Sequence, residues 1–240
     1  MDDAPVVFAG PSVPARDRIG LSDLNFQPPA EAGDVLKLLA DPPVSICIID
    51  GYFGDRMAVM HKEILHALSM GVRVYGAASI GALRAAELET YGMIGVGKVF
   101  RLYRDGLCIR DDAVAVTHGP AEAGYAQVTL AHVDIAATVE SLTKRRRIAR
   151  SEGAAIIKVS EELHFSKRTW NEIGEKLGLA HISHLLRNSH VQQKRLDAIE
   201  VVRRVRDDFL AGKTGFSTDF VPPATPAYRK QIDRYCPSIV

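Results

Sequence analysis

Cysteine is scarce in this chain. Cys47, Cys108 and Cys236 are the only three in 240 residues, and they are far apart. None forms a C-x-x-C pair, so neither a disulfide framework nor a zinc site is indicated. An excess of charge of one sign is also missing: 30 basic residues face 29 acidic ones, for a net charge of +1. No global field therefore advertises a nucleic acid as partner. No apolar run approaches the ~18 residues that a membrane helix needs. The opening residues show no basic start followed by an apolar stretch, so a secretory signal is not expected. The expectation is a cytoplasmic protein without a membrane span. Gly92, Gly95 and Gly97 do not follow G-x-G-x-x-G and read as following a helix rather than lying between a strand and a helix. No dinucleotide site is expected there, and no cofactor or metal elsewhere.

What is present is a globular composition, 47% hydrophobic and 25% charged, with apolar runs of two periods. Val6 to Ala9 reads as a buried strand stopped by Gly10-Pro11-Ser12. Residues 13–33, with Pro14, Pro28 and Pro29, read mostly as loop. Val44 to Asp50 is apolar on both faces, as in a parallel sheet covered on both sides, and Gly51 stops it. Met57 to Leu68 has helical spacing and Gly71 as its stop. A strand over 72–75 and a helix over about 80–90 follow. Strand, helix, strand, helix argues for an α/β fold with a mostly parallel sheet and flanking helices. Shorter elements over 93–100 and 107–109 surround a turn at Asp105-Gly106. From about 127 the chain reads as helices, with stripes at Ile135, Val139 and Leu142 and at Leu196, Ile199, Val202, Val205 and Phe209. The expected organisation is an α/β core over 1–125, a helical region over 126–212 packed on it, and a proline-containing extended tail over 213–240.

The chemistry concentrates at GAASIGALRAAEL, residues 76–88. Ser79 falls at the carboxyl end of a strand, where α/β sheets gather ligands. The amides of Ile80 and Gly81 would point from a helix N-terminus, able to hold an oxyanion. The spacing is G-x-x-S-x-G, not the G-x-S-x-G of a nucleophile elbow. Serine is also a favoured N-cap, so a capping role competes with a nucleophilic one, and anion binding is a third reading. A nucleophile needs a base. His61 and Lys62 begin the preceding helix. A lysine is a poor base at its ordinary pKa of about 10.4, and lowering it to near 7 costs about 5 kcal/mol, which burial could supply. His61 needs no such cost and ranks first on the residues alone.

Several blocks resemble TfuA-like proteins: IIDGYF (48–53), HKEILHAL (61–68), GAASIGALRAAEL (76–88) and YGMIGVGKVFRLYRDG (91–106). VFAGPSVP (7–14) is similar to the family's start, and QQKRLDAIEVVRRV (192–205) is similar to its later part. The resemblance is close over residues 6–115. It implies a companion of a YcaO enzyme in peptide backbone thioamidation. The implied activity is hydrolytic release of sulfide from a thiocarboxylated, ubiquitin-like carrier of the ThiS type by a serine–lysine pair. By motif position the serine is Ser79 and the lysine Lys62, with Lys98 a rival. A non-catalytic adaptor that brings carrier and peptide to YcaO is the alternative.

Other residues have competing roles. Arg84 could neutralise the thiocarboxylate or pair with Glu87 on its own helix. Gly10 and Ser12 could line the pocket, with Ser12 a rival nucleophile, or form a plain turn. Asp50 could orient Lys62, bind polar substrate groups or cap a turn. Asp111-Asp112 is weak as a cation site. The basic run 144–147 with Arg150 reads as a solvated helix face, or else as a dock for an acidic carrier protein or nucleic acid. Within SKRTWNEIGEKLGL (166–179), Trp170 and Ile173 read as core positions.

Overall fold

β-Branched and aromatic residues at the start of the chain build strands too short to stand alone. They form one parallel sheet in the computed structural model of the chain, which describes residues 4–54, 56–178, 180–213, 215 and 225–236. The strands are β1 (Val6–Phe8), β2 (Asn25–Gln27), β3 (Ser45–Ile48), β4 (Arg73–Ala77) and β5 (Ile94–Val96). Their order is β2-β1-β3-β4-β5, with every pairing parallel. That is the order of flavodoxin-type doubly wound sheets. The winding reverses between β1 and β3, and a crevice opens at the carboxyl ends of those two strands.

Strand alternation divides the apolar residues between two faces. Val6, Phe8, Ile46, Ile48 and Val74 face one core. Helices α1 (Asp34–Leu38), α2 (His61–Ser69), α3 (Ile80–Leu88) and α4 (Gly97–Arg104) contribute to it. Val7, Cys47, Ile49, Tyr75 and Ala77 face the other core. A helix from much later in the chain, α9 (Gln193–Leu210), covers that face with Ala198, Val201, Val202 and Val205. Between them in sequence, α5 (His132–Lys144), α6 (Arg150–Glu162), α7 (Trp170–Leu177) and α8 (Ala180–Asn188) enclose a third core that includes Trp170 and Ile173. The fold is thus a parallel α/β sheet followed by a helical half.

Arg168 fastens the two parts. It is fully buried and donates to the carbonyls of Ser160 (2.9 Å), Leu163 (3.1 Å) and Asp112 (2.7 Å), and it pairs with the Asp112 carboxylate. Those bonds offset the cost of burying a guanidinium.

Four expectations need correction. Residues 13–33 are not all loop: Asn25–Gln27 pairs with β1 as an edge strand. Three residues with little burial give too weak a pattern to read. The helix expected from Met57 starts at His61, where the Glu63 carboxylate caps the Met60 amide at 2.7 Å. The short elements over 93–100 are β5 running directly into α4, and Gly97 at φ 93 makes the corner. The tail is not extended over Pro226–Tyr235, which form α10. Thr225 caps it and Pro226 takes the first helical position, where its missing N–H costs nothing. Pro222, Pro223 and Pro237 lie outside the described residues. No helix among the described residues is long and apolar enough to cross a membrane.

Candidate functional site

The backbone turns tightly immediately before Ser79. Ala78 has φ 64, and the Ser79 amide donates to the Ala77 carbonyl at 2.7 Å. A non-glycine residue in that region is strained by about 1 kcal/mol or more, and such strain collects at functional sites. α3 then starts at Ile80 and packs close on the sheet. A Cβ on Gly81 would lie 1.7 Å from the Ile48 carbonyl oxygen, and one on Gly76 2.1 Å from the Gly81 carbonyl oxygen. These glycines serve the contact between helix and sheet rather than the approach of a substrate.

Ser79 stands at the N-cap of α3 but its side chain makes no capping bond. It is 8% exposed and lines a cavity of about 540 Å³. Of the two amides expected to hold an oxyanion, Gly81 already donates to the Ile49 carbonyl at 3.3 Å. The Ile80 amide has no acceptor among the described residues. Ile80 therefore keeps a donor at the positive end of α3.

The cavity lies over the carboxyl ends of β1, β3 and β4. Pro11, Asp50 and Gly51 line it together with Ser79 and Ile80. Asp50 is 2% exposed and organises the turn after β1. Its carboxylate accepts from the amides of Gly10 and Ser12, each at 2.9 Å, and from the Ser12 hydroxyl at 2.7 Å. Gly10 and Asp50 thus meet at the crevice. Ser12 spends its hydroxyl proton on Asp50 and does not line this cavity.

The lysine that lines the cavity is Lys194, on the first turn of α9. It is 3% exposed, and its Nζ donates to the Val114 carbonyl at 2.7 Å. Its backbone amide donates to Asp134 Oδ1 at 2.9 Å. Burial pulls the Lys194 ammonium below the usual lysine range, while the charges of Asp50 and Asp134 act the other way. Burial also pushes the Asp134 carboxyl up to about 6.

Lys62, His61 and Arg84 do not line this cavity. Lys62 Nζ donates to Thr225 Oγ1 at 2.5 Å and sits 5.8 Å from the Tyr228 ring centroid, against α10. His61 Nε2 lies 2.7 Å from Glu87 Oε2. Arg84 donates to the Val59 carbonyl at 2.9 Å and to Glu87 at 2.8 Å. The reason is the path of the chain. The first turn of α2 lies beside Arg84 and Glu87, one to two turns beyond Ser79, or roughly 7–12 Å along the axis of α3. The predicted helix start is there, but not at the strand edge. Lys98, the other rival, pairs with Glu140.

The arginine that does reach the cavity is Arg56, exposed, 3.1 Å from Glu31 and stacked 4.3 Å from the Tyr52 ring. Phe53 and Phe165 meet edge to face at 5.7 Å beside it, and both line the cavity. Asp111 lines it too, while Asp112 is held by Arg110 and Arg168. Among the described residues, no group of three or more His, Cys, Asp or Glu could share a metal ion.

Sequence reasoning missed Lys194, though a signal existed. Lys194, Asp197 and Asp208 are buried on the same face of α9 as Ala198, Val201 and Val205. Charged residues in phase with an apolar stripe are placed for something other than solvation. The stripe expected through Leu196 is right at Val202 and Val205, which are buried on that face, and wrong at Leu196, which is exposed.

A doubly wound α/β protein with a buried serine and a buried lysine on one cavity at its switch point is the class these features define. The profile of the TfuA-like protein family matches residues 50–169, half of the chain, and the chain belongs to that family. That span includes Ser79 and reaches beyond the close resemblance over residues 6–115 into the helical half; Lys194 lies outside it. A search among curated proteins finds no match.

Proposed function

We propose that this chain is the partner of a YcaO enzyme in peptide backbone thioamidation, and that it releases sulfide from a thiocarboxylated carrier of the ThiS type. Ser79 is the nucleophile and Lys194, in place of Lys62, is the base. One observation carries the reading: an uncapped serine after a strained turn shares a cavity with a buried lysine whose charged form is disfavoured.

The chemistry follows from those groups. Neutral Lys194 takes the proton of the Ser79 hydroxyl, and the oxygen attacks the thioacyl carbon. The Ile80 amide donates to the anion that forms. The C–S bond breaks, Lys194 returns its proton to sulfur, and hydrosulfide leaves an acyl-serine. Water, deprotonated by the same amine, then frees the carrier as a carboxylate and restores Ser79. The thiocarboxylate is itself anionic, and Arg56 at the cavity supplies the countercharge assigned to Arg84 on sequence grounds. Asp50 holds the turn after β1 that forms one wall.

Sulfide release from thiocarboxylated carrier tests the reading. Ser79→Ala is expected to abolish release while the melting temperature and YcaO binding persist. Lys194→Met is expected to do the same, with folding checked by circular dichroism. Thioamidation that survives Ser79→Ala without added sulfide would support the adaptor instead.

A further inference from the structure

A second cavity, of about 380 Å³, shares two lining residues with the first: Pro11 and Lys194. It is bounded by the stretch from Ser12 to Arg16, by the loop Ala123 to Gln127 and by the start of α9. Its lining is cationic. Arg16 and Arg195 contribute positive charge, and Asp134 is the one acidic side chain among the lining residues. Asp134 is buried and turned to the Lys194 amide. Arg195 is fixed in place by Asp17 through bonds of 2.6 and 2.8 Å. Arg16 is exposed at the outer end.

The proposed reaction gives such a space a task, and the inference rests on that reading. The carrier enters the first cavity by its C-terminal segment, and its acyl group stays bound to Ser79 after the C–S bond breaks. Hydrosulfide is then released beside Lys194 with the first cavity filled. Hydrosulfide is a stronger nucleophile than water. While it remains, it attacks the acyl-serine and regenerates the thiocarboxylate, so turnover requires that it leave before water arrives. It is a small anion, and a cationic passage favours it.

We propose that the second cavity is the exit for hydrosulfide, on the far side of Lys194 from the carrier. The two ligands of the reaction are thereby separated: a polypeptide end on the side of Ser79, and a small sulfur anion on the side of Arg16. The face carrying Arg16 and the loop Ala123 to Gln127 is then the face from which sulfide is delivered.

The test is to obstruct that exit without touching Ser79 or Lys194. Ala123 and Ala126 are exposed and line only the second of the two cavities. Ala126→Trp, with Ala123→Trp as the second variant, is assayed with thiocarboxylated ThiS-type carrier, and folding is checked by thermal melting. The expected result is a kcat about tenfold lower with KM for the carrier unchanged or lowered, never raised, as for slowed product release. Arg16→Glu is expected to lower kcat at low salt, with the loss shrinking as salt rises. Folded tryptophan variants with wild-type kcat would overturn the exit and leave the hydrolase reading intact. A raised KM with unchanged kcat would also overturn it, since the carrier would then enter by this cavity. Absence of release from the wild-type chain would instead remove the hydrolase reading, and the exit with it.

Discussion

Ser79 and Lys194 reach one cavity from opposite faces of the sheet. Ser79 precedes α3, whose Ile80, Ala82 and Leu83 pack into the core on one side. Lys194 begins α9, whose Ala198, Val201 and Val202 pack on the other. The two faces meet only at the strand ends, where Pro11 and Asp50 complete the cavity wall. An amine buried in that place is costly in its charged form, which is what a lysine needs to serve as a base.

The pH dependence of the proposed sulfide release should report that amine. kcat/KM is expected to rise as Lys194 loses its proton, at a pH below the usual lysine range because burial disfavours the ammonium. Asp50 opposes burial by favouring the charged form. Asp50→Asn is therefore expected to move the rise to lower pH. A rise displaced to higher pH would contradict the assignment.

Lys62 should be dispensable for chemistry. Lys62→Ala removes a bond to Thr225 and a contact with the Tyr228 ring. The expected outcome is a stability loss of about 1 kcal/mol or less, with release of sulfide within about twofold of wild type. Loss of release by two orders of magnitude would return the basic role to Lys62.

Stability should fall as pH rises through the range of Glu63. Burial pushes this carboxyl up to about 7 from its ordinary 4.5, against the amide bonds from Met60 and Gly33. Between those values the folded chain holds a proton that the unfolded chain has released. The stabilisation is complete below about 4.5 and is lost as pH rises through about 7, for a total of about 3 kcal/mol. Glu63→Gln is expected to flatten that slope in urea melts at a series of pH values. An unchanged slope would assign it to other buried acids such as Asp134, also raised, to about 6.

Gly81 should tolerate no side chain. Its Cβ would collide with the backbone oxygen of Ile48, which cannot swing aside. Gly81→Ala is expected to cost about 3 kcal/mol or more and to displace the first turn of α3. Gly106→Ala is the control for a side chain placed where there is room, since nothing lies within 4 Å of its Cβ. Its own positive φ, 67, sets a separate and smaller strain. Gly81 itself has no positive φ, so a loss there no larger than at Gly106 would show that the Ile48 contact yields to the added methyl.

Much of the α/β half was legible because its signals are local. Val6 to Phe8, Ser45 to Ile48 and Arg73 to Ala77 are apolar on both faces, and the glycines and serine after β4 mark a tight turn into a helix. The edge strand Asn25–Gln27 was not legible, because a half-exposed three-residue strand takes its identity from β1 beside it. Nor was α10, whose proline reads as a breaker until Thr225 is seen to cap it.

The amino-acid order by itself determined the parallel sheet, the turn that presents Ser79 and the family to which the chain belongs. These depend on side-chain period, glycine placement and a contiguous motif, all of which act over a few residues. Only the tertiary structure decided which amine shares the cavity with that serine. Proximity in sequence pointed to Lys62, but the direction of α2 carries it to α10, while the packing of α9 brings Lys194 in from far along the chain. Burial on the second face of the sheet, not spacing, is what disfavours the charge on Lys194, and burial is a property that no local stretch possesses.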